Sequence, residues 1–257
     1  MRIALSEEFL QRPIAHRALH DRAKGRIENS PAAIKAAVAA GYAIEIDLQL
    51  SRDGIAMVFH DDEMDRLTSA KGRVHLYTAE ELSHIVLTDS NDTIPTLGQV
   101  LQMVAGQVPL LIELKDQTLD LSASDGQLEE ATAKALKGYD GPVALMSFNP
   151  SMIANMARLM PGTPRGLTTS SYDYEDWHPV PHATCDRLRD IPDYDAVQAS
   201  FISHQGNDLL RPRVLELKAR GEAILCWTIR TPEQEKMARQ VAQNVTFEGY
   251  LSPLPQL

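Results

Sequence analysis

Short apolar runs alternate with helical segments along the whole chain, and this alternation constrains the fold more than any other feature. Strands are predicted at residues 13–17, 44–50, 57–61, 108–115, 143–148, 165–169, 196–200, 223–229 and 245–250. Helices are predicted at residues 31–40, 79–84, 97–104, 126–136, 150–159, 208–220 and 232–241. Strands that alternate with helices favour an α/β fold with a parallel sheet, either closed or open.

Capping residues locate the starts of several predicted helices. Ser30, Asn149 and Thr231 each precede a proline at the first helical position, an arrangement that favours helix initiation. Thr78 and Thr96 are followed three residues later by Glu or Gln, which is the spacing of a capping box. These starts also indicate where the preceding strands end, and α/β proteins carry their chemistry at those ends.

Length and charge limit the classes of protein to consider. The 257 residues suit one barrel of about 250 residues, and we take residues 1–257 as one domain because no low-complexity linker interrupts them. The formal net charge of −10 argues against nonspecific binding of nucleic acid. A phosphate-containing substrate would therefore need local arginine, lysine or metal.

The sequence carries no signal for a membrane or an oxidising compartment. No apolar run approaches the roughly 18 residues of a membrane-spanning helix, so we expect no stable membrane insertion. The first 13 residues do not resemble a signal peptide, which predicts a cytoplasmic protein. Cys185 and Cys226 show neither the spacing of a metal site nor that of a disulfide framework.

Four polar clusters lie at or after the ends of early strands: His16-Arg17, the row Glu45, Asp47 and Gln49, the pair His60-Asp61, and the pair Glu113 and Lys115. Alternate side chains of a strand share one face. A row of acids on that face would point to water in an antiparallel sheet. In a strand flanked by helices it would point inward, where it needs a cation. Each cluster alone also fits a solvated strand end, a turn or a structural ion pair.

Together the clusters supply a complete set of groups for one class of reaction. Three carboxylates suit an oxygen-preferring ion such as Ca²⁺ or Mg²⁺. Two histidines suit a general acid and a general base, while arginine and lysine suit a phosphate anion. Displacement at a phosphodiester needs all of these, because negative charge builds on the phosphoryl oxygens.

The order of the motifs resembles that of the glycerophosphodiester phosphodiesterase family. The matching segments are His16-Arg17, Glu28-Asn29, Glu45-x-Asp47, His60-Asp61 and Glu113-x-Lys115. The resemblance is strongest over residues 13–115 and thinner afterwards. It implies a (β/α)₈ barrel of the triosephosphate isomerase type, with a small insertion after an early strand, within residues 61–95.

The resemblance also implies roles for individual residues. It implies one divalent metal ion, Ca²⁺ or Mg²⁺, with Glu45, Asp47 and Glu113 as ligands. It implies an acid/base pair, His16 and His60, without fixing which is the acid. It implies phosphate contacts from Arg17 and Lys115, and a wall of the substrate site at Trp227. Glu28 and Asn29 also fit a structural role, because they adjoin a helix cap.

Four departures from the family pattern lie near the expected substrate side. Ala18 replaces a glycine, so we expect the turn there to differ, because alanine adopts a positive φ less readily. Residues 19–27 form a polar, basic insert that we assign to the rim of the site. Arg230 follows the Trp-Thr segment in place of the usual Asn or Asp, and residues 247–253 lack the usual Thr-Asp before proline. We expect these changes to affect the alcohol group more than the phosphoryl chemistry.

The leading hypothesis is metal-dependent hydrolysis of a small-molecule glycerophosphodiester to glycerol 3-phosphate and an alcohol, through a cyclic phosphate intermediate. One alternative is action on a lysophospholipid or another lipid phosphodiester at the same site. The other is a non-catalytic barrel that binds a phosphate ligand, which the paired histidines disfavour. The sequence leaves open the alcohol, the identity of the metal and the oligomeric state.

Overall fold

Eight parallel strands close into a barrel in the computed structural model, which describes residues 2–255. The barrel strands are β1 (Ile14–Ala15), β2 (Ala43–Leu50), β4 (Leu110–Leu114), β5 (Val143–Ser147), β6 (Arg165–Thr169), β7 (Phe201–Gln205), β8 (Ala223–Ile229) and β9 (Asn244–Phe247). Pairing of β1 with both β2 and β9 closes the ring. The short strand β3 (Ala56–Val58) pairs antiparallel with the end of β2. The predicted (β/α)₈ fold is confirmed.

Helices lie between the strands and outside the barrel. They are α1 (Glu7–Gln11), α2 (Pro31–Ala40), α3 (Ala79–Ser83), α4 (Leu97–Val104), α5 (Gln127–Leu136), α6 (Pro150–Leu159), α7 (His182–Leu188), α8 (Pro212–Ala219) and α9 (Pro232–Ala238). The predicted caps are present: Ser30, Asn149 and Thr231 each accept a hydrogen bond from a backbone N–H of the first turn. Thr78 and Thr96 form complete capping boxes. None of the helices in residues 2–255 is long and apolar enough to cross a membrane.

Three elements differ from the sequence-based prediction. The strand predicted at residues 196–200 is wrong, because β7 begins at Phe201. Val197 and Ala199 are buried, but their backbone N–H groups bond back to Asp193 and Tyr194 in a turn. The helices α1 and α7 were not predicted, since α1 has only five residues and neither helix has a side-chain cap at its start.

The interior of the barrel is apolar at the amino-terminal end of its strands. Side chains there form one buried cluster that includes Ile14, Ala43, Leu111, Ala144, Phe201 and Leu225. Gly166 provides room for the ring of Phe201, because a Cβ at Gly166 would lie 2.4–2.6 Å from ring atoms. Leu5 and Phe9, before and within α1, belong to the same cluster. The side chain of Asn244 donates to the carbonyls of Phe9 and Arg12, at 2.7 and 2.6 Å. Helix α1 therefore covers this end of the barrel.

Residues 61–95 build a small layer outside the barrel, after β3. They contain 3₁₀ turns at Met64–Arg66 and Val74–Leu76 in addition to α3. Their apolar side chains pack against β3, Ile27 and Phe59 in one cluster. Its buried members are Ile27, Met57, Phe59, Met64, Leu67, Val74, Leu82, Leu87 and Ile94. This segment matches the position at which we expected the insertion, and we keep that assignment as a proposal.

Candidate active site

Three carboxylates meet inside the barrel at the carboxyl ends of β2 and β4. In the parallel register, Asp47 lies beside Glu113 and Glu45 precedes both on the same inner face. Ligand oxygens of the three side chains lie within 4.8 Å of one another, and all three residues are buried. The row of acids therefore points inward, and the alternative of a solvated strand face is excluded. Burial, with the charges of Asp47 and Glu113, raises the pKa of Glu45 well above its usual range.

Lys115 partly neutralises this acidic cluster. Its Nζ lies 2.6 Å from Glu113 Oε1 and 2.8 Å from Asp47 Oδ1. Burial alone would lower the pKa of Lys115, but the charges of Asp47 and Glu113 raise it. Burial alone would likewise raise the pKa of Asp47, but the charge of Lys115 lowers it. The cluster thus holds a permanent cation beside three acids.

The turn after β1 places Arg17 beside the acidic cluster. Its backbone N–H donates to Glu45 Oε2 at 2.8 Å, and its side chain donates to Glu28 Oε1 at 2.8 Å. Its Nε lies 3.8 Å from Asp47 Oδ2. Arg17 and Ala18 both have positive φ, 51° and 65°. Ala18 thus adopts the left-handed conformation that glycine favours, and the replacement of glycine does not prevent that conformation.

Asn29 fixes the orientation of Asp47. Its Nδ2 donates to Asp47 Oδ2 at 2.9 Å, and its Oδ1 accepts from the backbone N–H of Asp47 at 3.3 Å. Asn29 immediately precedes Ser30, the cap of α2, and is itself in the left-handed region with φ 59°. Asn29 therefore contacts the acidic cluster directly and holds the carboxylate of Asp47 in place.

His60 lies after β3 in a network of alternating charges. Its Nδ1 is 2.7 Å from Asp61 Oδ1, and Arg66 donates to both oxygens of Asp61. Arg66 also donates to both oxygens of Glu28, which pairs with Arg17. Burial alone would raise the pKa of Glu28, but these arginines lower it to about 2. The network links His60 to the acidic cluster, and the charge of His60 lowers the pKa of Asp47.

His16 lies after β1 and contacts Glu248, the residue that follows β9. The distance from His16 Nδ1 to Glu248 Oε2 is 2.6 Å. Burial lowers the pKa of His16 to about 4, against the opposing effect of the hydrogen bond with Glu248. His16 is therefore neutral near pH 7 and has the protonation state that a general base requires.

Comparison with known proteins identifies the family to which this arrangement belongs. The model of the glycerophosphoryl diester phosphodiesterase family matches residues 16–246. The chain belongs to this family. A glycerophosphodiester phosphodiesterase of Caldanaerobacter subterraneus subsp. tengcongensis is 31% identical over 175 residues, which are 64% of this chain and 69% of that protein. A glycerophosphodiester phosphodiesterase 1 of Bos taurus is 31% identical over 154 residues, 56% of this chain and 44% of that protein.

A solved structure supports the same assignment. A phosphodiesterase of Oleispira antarctica, in complex with the product sn-glycerol-3-phosphate, is 25% identical with a TM-score of 0.75, and 94% of each chain is covered. The glycerophosphodiester phosphodiesterase of Thermotoga maritima, at 21% identity and a TM-score of 0.67, shows the same fold. The prediction of a phosphoric diester hydrolase of the glycerophosphodiester phosphodiesterase class is confirmed.

Aromatic residues line one side of the barrel mouth in this glycerophosphodiester phosphodiesterase family member. Trp227, on the inner face of β8, donates from Nε1 to the carbonyl of Ser203 at 3.0 Å. Its ring meets Phe148 edge to face at 5.5 Å between centroids, and Phe148 also packs against Tyr172 and Trp177. The side chain of Trp227 is thus held by Ser203 and Phe148. Its role as a wall of the substrate site stays a prediction.

The donor set suits a divalent metal ion. Glu45, Asp47 and Glu113 offer only oxygen atoms, which Ca²⁺ and Mg²⁺ prefer. Among residues 2–255, these three side chains form the one group of acids, histidines or cysteines close enough to hold an ion together. The raised pKa of Glu45 shows that burial and the charges of Asp47 and Glu113 disfavour its ionised form. A divalent cation bound to the three oxygens would offset that repulsion.

Some contributors to this site were not predicted as such. Glu248 lies in the segment 247–253 that departs from the family pattern, and Arg66 lies within residues 61–95, where we expected only an insertion. Both acids that hold the histidines, Asp61 and Glu248, nevertheless lie immediately after strands β3 and β9 or within a few residues of them. The rule that chemistry gathers at the carboxyl ends of barrel strands was the available signal.

Proposed function

We propose that the protein hydrolyses glycerophosphodiesters to glycerol 3-phosphate and an alcohol, with one divalent cation, Ca²⁺ or Mg²⁺, held by Glu45, Asp47 and Glu113. The observation that carries this proposal is the buried cluster of these three acids at the carboxyl end of the barrel. The glycerol 3-phosphate bound to the Oleispira antarctica phosphodiesterase supports the choice of product.

The cations beside the cluster would bind the phosphoryl group. Lys115 and Arg17 both contact Asp47, within 2.8 and 3.8 Å. Arg17 carries several N–H donors in a planar fork, which suits two phosphoryl oxygens at once. A bound divalent cation would neutralise charge on the phosphoryl oxygens and lower the pKa of a hydroxyl coordinated to it.

The nucleophile would be a hydroxyl of the substrate itself. A glycerophosphodiester carries a hydroxyl next to its phosphate ester. Because this hydroxyl is held close to the phosphorus atom, its effective molarity far exceeds that of water. One histidine of the pair His16 and His60 would remove its proton while the other protonates the departing alcohol. Ring opening of the resulting cyclic phosphate by water would then reverse the two roles.

The decisive experiment compares glycerophosphocholine with an analogue that lacks the hydroxyl adjacent to the phosphate ester. We expect the analogue to bind competitively but to be cleaved at least about 10³-fold more slowly, since the intramolecular advantage is lost. Phosphorus NMR should show a cyclic phosphate early in the reaction of glycerophosphocholine, and the cyclic phosphate should itself be hydrolysed. Fast cleavage of the deoxy analogue would show instead that water attacks directly.

A lysophospholipid is a second candidate substrate, favoured by an exposed leucine in a loop on the carboxyl side of the barrel. Leu210 lies between β7 and α8, and its exposed fraction is 75%. Loops after barrel strands surround the site, so an acyl chain could pack on this side chain. Replacement of Leu210 by serine should lower activity on lysophosphatidylcholine and leave activity on glycerophosphocholine unchanged. Equal activity of this variant and wild type on both substrates would exclude the lipid role.

A further inference from the structure

Glu248 makes three contacts that fix its carboxylate beside His16. Its Oε2 lies 2.6 Å from His16 Nδ1 and 3.5 Å from His20 Nε2. Its Oε1 lies 2.7 Å from a guanidinium nitrogen of Arg230. One carboxylate therefore joins the loops that follow β1, β8 and β9. Its side chain is only 19% exposed, so solvent competes little for these contacts.

This arrangement repeats the one around His60. The Nδ1 atom of His16 lies 2.6 Å from a carboxylate oxygen of Glu248, and that of His60 lies 2.7 Å from one of Asp61. Each carboxylate is held in turn by an arginine, Arg230 or Arg66. The resemblance to the family pattern does not explain the first set, because positions 230 and 248 are among those at which this chain departs from the pattern.

We infer that Glu248 is the positioning residue for His16, and that Arg230 anchors it. The inference rests on the proposed role of His16 in acid/base catalysis. An ionised carboxylate only accepts hydrogen bonds, so His16 must donate from Nδ1. The tautomer is thereby fixed, and Nε2 is the nitrogen left to exchange a proton with the substrate.

The charges around His16 explain what Glu248 contributes to proton transfer. The charged groups that act on His16 are Arg17 beside it, Asp47 on β2 and Glu248 after β9. His20 and Arg230 act on Glu248. Burial lowers the pKa of His16, and Arg17 lowers it further, while Glu248 raises it. A carboxylate in this place stabilises the imidazolium that forms when His16 accepts a proton.

The first test reads the tautomer directly. Nitrogen-15 NMR of the metal-saturated full chain at pH 7 should show His16 protonated at Nδ1. Glu248→Gln keeps an acceptor and should preserve that tautomer, whereas Glu248→Leu should give a mixture of both. A His16 ring protonated at Nε2 in the wild type would overturn the inference without any reference to activity.

The second test uses kinetics. Glu248→Gln should lower kcat by about 10-fold and Glu248→Leu by about 100-fold, the range seen when the partner of a ring nitrogen is removed. KM should change little, because Glu248 would not contact the substrate. The acid limb of the pH profile of kcat/KM should move to lower pH in Glu248→Gln, because the group that raises the pKa of His16 has lost its charge.

Glu222→Gln is the matched control. Glu222 has a side chain 18% exposed and pairs with Arg2 and Arg220, but it precedes β8 and so lies at the opposite end of the barrel. We expect wild-type kcat and an unchanged pH profile in this variant. A fall in kcat equal to that of Glu248→Gln would show that loss of any such ion pair damages the enzyme, and would overturn the inference.

A double-mutant cycle separates this inference from the proposed function. If His16→Ala alone leaves kcat unchanged, the role proposed for His16 is wrong, and the role of Glu248 falls with it. If His16→Ala lowers kcat, then adding Glu248→Gln should lower it no further, because Glu248 acts through the missing ring. A further loss in the double variant, or wild-type kcat in Glu248→Gln, would overturn the positioning role alone.

Discussion

At the scale of single residues, the two histidines share one design: each has Nδ1 on a carboxylate and its other ring nitrogen available. We therefore expect His16→Ala and His60→Ala each to lower kcat by about 10²–10⁴, the usual contribution of general acid–base catalysis. Both side chains are partly exposed, 12% and 28%, so the thermal unfolding temperature should stay close to wild type. Wild-type kcat in either variant would remove that residue from the mechanism.

Arg17 tests whether the phosphoryl group needs a fork of donors or only a charge. Arg17→Lys keeps the charge but loses the planar arrangement of N–H groups, and we expect kcat/KM for glycerophosphocholine to fall by about 10-fold or more. Arg220→Lys is a suitable control, because Arg220 pairs with Asp195 and Glu222 and lies between α8 and β8, at the opposite end of the barrel. Equal kinetics in wild type and Arg17→Lys would show that a point charge is enough.

The sequence is enough to group residues that share one face of a strand, but it does not predict contacts between residues that are distant in the chain. Glu45 and Asp47 are two positions apart on one strand, so alternation alone put them together. His16 and Glu248 are 232 positions apart, and only closure of the barrel between β1 and β9 makes them neighbours. Spacing along the chain contains no information about such a pair, and the polar residue after the last strand was the only indication.

At the scale of elements, the packing of Gly166 on β6 against the ring of Phe201 on β7 can be tested by adding one methyl group at position 166. Gly166→Ala would place Cβ 2.4–2.6 Å from the ring of Phe201, and the resulting displacement should cost about 1–3 kcal/mol of unfolding free energy. Gly162→Ala is the control, since a Cβ there would meet nothing within 4 Å. Urea denaturation of both variants measures the difference, and equal midpoints would contradict tight packing at Gly166.

Helix starts were predicted well because capping is a local event. Ser30, Asn149 and Thr231 use side chains to bond the first turn of their own helices, so a few residues contain the whole signal. The strand β7 was misplaced because Val197 and Ala199 are as apolar and buried as strand residues. Their burial comes from packing against the rest of the barrel, which no local pattern reveals.

At the scale of the whole molecule, a metal ion bound to the acidic cluster should stabilise the folded chain. A ligand at a hundred times its Kd contributes about 2.7 kcal/mol, which corresponds to a rise in Tm of about 5–10 °C for a chain of this length. We expect Ca²⁺ or Mg²⁺ to raise Tm by this amount after treatment with a chelator, and to restore activity that the chelator abolishes.

Glu45→Gln separates the metal from other effects on stability. The variant should lose most of the metal-induced rise in Tm, and in chelator it should unfold at a higher temperature than wild type, because a buried charge near Asp47 and Glu113 is gone. Glu129→Gln is the control, because Glu129 is a buried acid of α5 outside the cluster. A full metal response in Glu45→Gln, or full wild-type activity in excess chelator, would contradict the assignment of the metal site.

The position of helix α1 limits how substrate and products can reach and leave the site. Leu5 and Phe9 close the amino-terminal end of the barrel, over a floor formed by Ile14, Leu111 and Phe201. For the residues that the structure describes, access to the site is therefore from the opposite end, and substrate and products would share this route. In the proposed reaction, the alcohol would have to leave through this opening before water could reach the cyclic phosphate behind it. We therefore expect the alcohol to be released first and glycerol 3-phosphate last.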